Sequence, residues 1–432
     1  MSSLASRWAG VGPQGRYQLV YFVYFAAANV FLTYRNDFFE SIGLTGTQMG
    51  VLGGLLVAGG LLAKPVWGVI ADRTGRTKAV LVAGAVVSGL AALVYPAAES
   101  LSATLLSPLA ESLPVTFLVI AGATLIVSVF RAPIVPVANA MVISRGLPFG
   151  TVRAFGSIAY GIGALASGLV VTGLVLGPIA ISGLTLGPVV VPGFGLQSVF
   201  VVYAVGMALT VVVVRGVPAP EADLSVDIGR EAIAMVTHPP YAVLLGTAAL
   251  YGAVAIVGDV YLSVYLGTIA EWEALTGVAW LVKTVAEASL LVALARQGVD
   301  DRRAVVLGAV AFVVGFATLG LTSAVPTALF AQVFVGFGAA SMIYATVQLA
   351  HRLSPEGIDA TAQTVLSAFG IGLGRLIGEL VAGPVYQFTT IRTLYLVLAV
   401  GAVTIGLAGV ALWTVSEPAN YSGTRQSATT GK

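Results

Sequence analysis

Hydrophobic residues in this chain run in unbroken stretches of about 20, separated by short segments rich in Gly, Pro and charge. Wound as a helix, a stretch of that length crosses the roughly 30 Å hydrocarbon core of a bilayer. Reading runs against breaks predicts helices over 17–36, 46–71, 77–97, 114–139, 151–176, 196–215, 241–268, 273–296, 303–322, 325–351, 358–386 and 392–414. Lipid offers no partner for backbone polar groups, so repeated spans imply a helix bundle, and the alternation of a transmembrane barrel is absent. The expectation is an all-α membrane protein. It has twelve transmembrane helices in two pseudo-symmetric six-helix bundles, residues 1–215 and 241–416, with a charged linker over 216–240 and a polar tail over 417–432.

Charge orients the bundle. Most of the 21 Lys and Arg fall in loops that lie on the cytoplasmic side if both termini do, while the opposite loops hold only Arg35 and Arg392. The chain is therefore expected to be a multi-pass protein of the cytoplasmic membrane. With no cysteine and only His238 and His351 as imidazoles, no metal and no cofactor are expected. A net charge of +2 gives no reason for a nucleic-acid partner. No phosphate-binding glycine loop and no nucleophile–base spacing occurs, so neither ATP hydrolysis nor another enzymatic activity is expected. The partners left are the lipid bilayer, a small-molecule solute and a coupling ion, served by a monomer.

The halves resemble each other. "RAFGSIAYGIGALASG" in the fifth helix and "SAFGIGLGRLIGELVAG" in the eleventh both carry small residues at four-residue spacing, and Gly370, Gly374 and Gly378 form a stripe for close helix approach. "GVIADRTGRTKAV" between the second and third helices has a counterpart in "ARQGVDDRRAV" of the second half. Paired six-helix halves with a site between them are a transporter architecture.

On these features the chain resembles the major facilitator superfamily of transporters. The family signature G-x-x-x-D-R-x-G-R falls on Gly68, Asp72, Arg73, Gly75 and Arg76, with Thr77 where a further base is usual. "TVRAFGSIAYGIG" resembles the R-x-(W/F)-G-S opening of the fifth helix in relatives of the lactose permease and nucleoside–proton symporters. "GVAWLVKTVAEASLLVALARQG" resembles their eighth helix, so the resemblance carries over to Arg153, Gly156, Ser157 and Glu287. It implies a secondary transporter working by alternating access. The missing antiport signature G-x(3)-G-P-x(2)-G-G favours proton-coupled symport over proton-coupled export of drugs or metabolites. A receptor that keeps the fold without transport is a third reading. Sodium in place of protons, import or export, and sugars, nucleosides, aromatic acids or drugs as solute all stay open. The signature cluster, with Arg153, is expected to act as a cytoplasmic gate whose charges exchange partners between conformations.

Ionisable groups inside spans each cost on the order of 3 kcal/mol, which marks them as functional candidates. They are Lys64, Arg131, Asp259, Lys283, Glu287, Arg375 and Glu379. Lys283 with Glu287, and Arg375 with Glu379, are four apart and so share a helical face. Glu287 is the leading candidate for proton coupling. Arg131 is expected to face a cavity, where it suits an anionic or hydroxyl-rich solute or an acid from the other half. Pro133 and Pro136 interrupt the backbone ladder just after it. Tyr21, Tyr24, Phe25, Asn29 and Gln348 are further cavity candidates. Arg35 and Asp259 occupy nearly corresponding places in the first and seventh helices and are expected to pair as an outer gate.

Overall fold

The computed structural model describes residues 11–105, 114–145, 147, 149–176, 179–181, 184–186, 189–217, 238–270, 272, 274–353, 362 and 365–415. Most of the expected linker, all of the tail after residue 416, and the side chains of Asp72 and Arg73 lie outside this set. Twelve rods run through the described residues. In the first half these are α1 (Pro13–Ser41), α2 (Gly46–Thr74), α3 (Thr77–Ala92 continuing as Val94–Leu105), α4 (Val115–Arg131 continuing as Ile134–Ser144), α5 (Phe149–Thr172) and α6 (Ser198–Arg215). In the second they are α7 (Pro239–Val260, then Leu262–Gly267), α8 (Ala274–Gln297), α9 (Asp301–Leu321), α10 (Val325–Leu353), α11 (a π-helical Leu366–Gly372 leading into Leu373–Phe388) and α12 (Ile391–Val415).

Ten of these helices are long and apolar enough to cross a membrane, and α3, bent by 46° between its two pieces, makes eleven. The exception is α1, and its position explains why. Asn29, Thr33, Arg35 and Asn36 are all buried in it, where a lipid-facing helix would carry Leu or Val. It packs on α5 and α6 and reaches across to α7. Asn36 Nδ2 donates to Val260 O at 3.1 Å and Ser263 Oγ donates to Thr33 O at 2.9 Å. A helix enclosed by protein can be polar because its neighbours supply the hydrogen bonds that lipid cannot.

Local chemistry sets the ends and breaks. Thr45 and Gln48 form a capping box at the start of α2, and Gly75, at φ +62°, closes its other end in the left-handed region that glycine alone enters freely. Lys78 Nζ donates to Arg215 O at 3.1 Å and Arg16 Nη1 to Gly216 O at 2.9 Å, so two cations sit on the carbonyl end of α6. The break in α4 falls at Ala132–Pro133, as the prolines predict. Pro133 has no N–H for the carbonyl four residues back, and the indole of Trp67 on α2 supplies the missing donor, Nε1 to Val129 O at 2.9 Å. Trp67→Phe is expected to lower stability by about 1 kcal/mol, read as an earlier thermal transition of the purified protein.

One connection departs from expectation. Residues 173–192, expected to finish the fifth helix and form an apolar loop, instead form two antiparallel ladders: β1 (Gly173–Leu176) with β4 (Val189–Pro192), and β2 (Ile179–Ile181) with β3 (Leu184–Leu186). The stretch is a near-repeat, "GLVLGPIAIS" followed by "GLTLGPVVVP", whose Gly-Pro steps and β-branched residues suit strands better than a fifth-helix extension.

Buried apolar residues form two cores. One runs from Tyr17 to Val217, the other from Tyr241 to Leu412 with Ala164 of α5 joined to it. The expected glycine stripe packs α11 on α7: a Cβ at Gly378 would stand 2.7 Å from Ala253 O, and one at Gly370 2.9 Å from Ala248 Cβ.

Candidate functional site

The two halves close on each other at one end of the bundle, the end away from the basic loops. There α2 meets α11, and α5 meets α8, through glycines. A Cβ at Gly46 would lie 2.6 Å from Gly383 O, one at Gly50 2.6 Å from Glu379 O, one at Gly168 2.7 Å from Ala274 Cα and one at Gly277 2.6 Å from Ala164 O. Thr47 N donates to Gln387 Oε1 at 2.9 Å and the Tyr386 hydroxyl to Glu40 Oε1 at 2.6 Å across the same seam. Towards the basic end the seam loosens. At Gly161 the nearest atom of α8 is Thr284 Cγ2 at 3.8 Å, and at Gly156 the neighbours are Phe25 and Arg153 of its own half. Among the described residues, the ion pair at the basic end is Arg352 with Asp301, 3.1 Å apart and within the second half.

Just inside the closed end, Arg35 Nη2 of α1 forms an ion pair with Glu379 Oε1 of α11, both almost fully buried. Gly53 of α2 makes this possible, because a Cβ there would fall on the Glu379 carboxylate. Arg35 Nε and Glu379 Oε2 have no hydrogen-bond partner, so this buried pair is incompletely satisfied. A second pair joins Lys283 of α8 to Asp259 of α7, with the ammonium 4.4 Å from the centre of the Trp280 ring.

These contacts correct one expected pairing, Arg35 with Asp259, and show that neither pair of charges sharing a helical face is an ion pair among the described residues. Arg35 does not meet Asp259; each is taken by a different residue of the second half. Lys283 turns to Asp259 rather than to Glu287 one turn on, and Glu379 turns to Arg35 rather than to Arg375. For the two pairs on one helix the reason is that a four-residue spacing places two side chains on one face without forcing them together, and here a cation or carboxylate of a neighbouring helix is the partner instead.

Deeper, the interior is lined by cations. Arg131 on α4 lies beside the Tyr24 hydroxyl of α1, with Tyr203 and Tyr160 close by. Arg153 of α5 flanks the same tyrosine and stacks 4.3 Å from the centre of the Phe25 ring. Lys64 of α2 is within electrostatic reach of both Arg131 and Arg375. Tyr251 of α7 has Glu287, Arg375 and Asp259 around it. Asn29 Oδ1 accepts from Thr33 Oγ1 at 3.1 Å, while its buried Nδ2 has no acceptor. A small cavity borders this region, lined by Val20, Tyr21, Tyr24, Phe25, Ile134, Val135 and Ala138.

Thus Tyr24, Arg131 and Arg153 neighbour one another, Glu287 and Arg375 share Tyr251 as a neighbour, and Tyr160 has Asn29, Arg131 and Arg375 around it. Gln348 does not join them: it is exposed in an open recess of about 420 Å³ at the basic end, lined only by second-half residues including Asp301, His351 and Arg352. Of the signature residues, Gly68 and Gly75 have open space where a Cβ would stand and Arg76 is exposed. Tyr160, Tyr251, Trp280 and Asn139, whose Oδ1 accepts from the Tyr21 hydroxyl, were not singled out in the sequence. The available signal was their spacing, since Tyr160 lies seven residues beyond Arg153 and Trp280 three before Lys283, each on the same helical face.

The family model of the MFS_1 like family matches residues 15–397. The chain belongs to that family. Its place among the major facilitator transporters, expected from the Asp72–Arg76 signature, rests on this match. Among curated relatives, the uncharacterized transporter YwbF of Bacillus subtilis (strain 168) is 20% identical over 396 residues, 90% of each chain. Maltose permease of Geobacillus stearothermophilus is 23% identical over 408 residues, 92% of this chain and 93% of that one. Among solved structures, the nucleoside transporter NupG shares the fold at a TM-score of 0.74 and 16% identity, covering 93% of this chain and 99% of that chain. A POT family transporter in complex with 5-aminolevulinic acid does so at 0.67 and 13%, covering 94% and 96%. As an MFS_1 like protein the chain is a multi-pass membrane transporter, and the interior just described lies where its two halves face each other.

Proposed function

We propose that this protein carries a small organic solute across the cytoplasmic membrane by alternating access, coupled to protons and with both termini in the cytoplasm. The observation that carries the reading is the asymmetry of the seam between the halves. Glycine contacts and the Arg35–Glu379 pair hold one end shut, while the contacts thin out towards the basic end. With the basic loops in the cytoplasm, this is the form in which the central groups face inward. Relatives named for maltose and for nucleosides, and one solved in complex with 5-aminolevulinic acid, put neutral and charged small organic solutes alike among those to be tried.

Glu287 is the coupling group in this reading. It lies mid-way along α8, half-buried, and unlike Asp259 and Glu379 it has no cation within ion-pairing distance among the described residues. A carboxylate held by a buried ammonium or guanidinium gives up its charge reluctantly, and an unpaired one takes a proton readily. Proteoliposomes with an imposed proton gradient test this directly. Wild-type protein is expected to accumulate solute above the outside concentration, and Glu287→Gln to equilibrate it only, with counterflow exchange retained. Accumulation that survives in Glu287→Gln removes the coupling role. Substituting a sodium gradient distinguishes the ion, and right-side-out against inverted vesicles distinguishes import from export.

A further inference from the structure

We propose that the solute bears an oxyanion group, carboxylate or phosphate, which this protein holds between Arg131, Lys64 and Arg375. The inference rests on the transport reading above and deepens it. Its ground is a charge imbalance in the interior. Among the described residues two carboxylates of the spans are already taken, Glu379 by Arg35 and Asp259 by Lys283. Lys64, Arg131, Arg153 and Arg375 are in no ion pair among the described residues. They come from four helices on both sides of the seam and lie near one another through shared neighbours. Tyr24 stands between Arg131 and Arg153, and Lys64 stands near both Arg131 and Arg375. Beside Tyr251, which also has Arg375 as a neighbour, stands Glu287, a carboxylate in no ion pair among the described residues.

Arg131 and Arg153 are partly buried and Lys64 and Arg375 exposed, and like charges brought near one another repel, so an anion among them is favoured. Two buried donors without a hydrogen-bond partner suit the same ligand. Asn29 Nδ2 is fully buried with no acceptor, and Arg153 Nη1 is buried with none. Both are donors. A neutral sugar can accept from these donors but brings no charge to the cations, whereas a carboxylate or phosphate brings acceptors and negative charge together. The aromatic rings of Tyr21, Tyr24 and Phe25 border the cavity beside these donors and offer an apolar wall for the rest of the molecule. Glu287 fits the same logic: it repels the incoming anion unless it carries a proton, so anion and proton enter together.

The protein contains no cysteine, so a single Tyr160→Cys or Asn29→Cys reports on the site without background. Labelled from the cytoplasmic side, each thiol is expected to react about tenfold faster with a sulfonate-bearing methanethiosulfonate reagent than with its trimethylammonium counterpart, a preference lost when Arg131→Gln and Arg375→Gln are added. Equal or reversed rates overturn the anion proposal and leave transport untouched. No reaction from either side overturns the access reading on which it stands. In a parallel thermal-shift series on the full protein, succinate or glycerol 3-phosphate is expected to stabilise it where succinamide, glycerol, maltose and uridine do not. Arg131→Gln is expected to raise the required concentration roughly 10- to 100-fold. Response to succinate alone names a carboxylate, and response to glycerol 3-phosphate alone a phosphate. Stabilisation only by maltose or uridine, or by none of the six, overturns the proposal.

Discussion

Arg35→Ala is expected to unlock the closed end. The substitution leaves Glu379 buried, with 1% of its surface exposed and its cation gone. Breaking one partner from a buried pair costs about 3–5 kcal/mol, because the remaining charge is uncompensated. That cost falls on the closed-end conformation alone, since the two residues belong to different halves and part when the seam opens. It amounts to roughly a hundred- to several-thousand-fold change in the ratio of the two forms. Cysteines at Thr47 and Gln387, where a backbone N–H of α2 meets a side chain of α11, are expected to crosslink readily in the parent and poorly with Arg35→Ala. Arg35→Ala with Glu379→Ala is expected to recover much of the crosslinking, because removing both charges removes the desolvation penalty. Unchanged crosslinking in Arg35→Ala would show that the pair does not hold the gate. The orphaned Arg35 Nε and Glu379 Oε2 bear on the same point. A lock with every hydrogen bond made would be harder to reopen, and the proposed alternating-access cycle requires it to reopen.

The helix-bundle plan, with ten of its expected spans and the bent α3 as an eleventh, was legible in the chain because the bilayer imposes it: backbone polar groups in lipid leave few solutions, and the apolar runs show where they are used. Even α1, too polar for a lipid-facing span, was placed correctly by its flanking breaks. The inventory of interior charges was equally legible, since each stands out against an apolar background. Their partners were not. Arg375 and Glu379 advertise a pair by spacing, yet the true partner of Glu379 lies 344 positions away and is admitted by the bare backbone of Gly53. Nothing local in "MGVLGGLL" says that one of its glycines faces a carboxylate. The strands at 173–192 were missed for the opposite reason: an apolar run with Gly-Pro steps reads as a loop until its repeat is noticed.

Leucine at both Gly50 and Gly277 is expected to hold the closed end open. Each glycine faces a backbone carbonyl, Glu379 O and Ala164 O respectively, at 2.6 Å from where a Cβ would stand. A backbone atom cannot rotate aside as a side chain can, so relief comes only by moving α2 from α11 or α8 from α5. Overpacking of this kind costs about 1–3 kcal/mol per site, whereas inverting a two-state equilibrium from 1:99 to 99:1 takes about 5.5 kcal/mol. One substitution is therefore expected to slow uptake partially, and the pair to abolish it, at least tenfold below the parent, with loss of the Thr47–Gln387 crosslink. Gly122→Leu on α4 and Gly246→Leu on α7, where a Cβ meets nothing within 4 Å, serve as controls and are expected to keep uptake near the parental rate. Glycine is thus a requirement of the seam rather than of helix packing in general: if the seam pair transports as well as the controls, α2–α11 and α5–α8 are not the surfaces that part and rejoin, and the moving boundary lies elsewhere in the bundle.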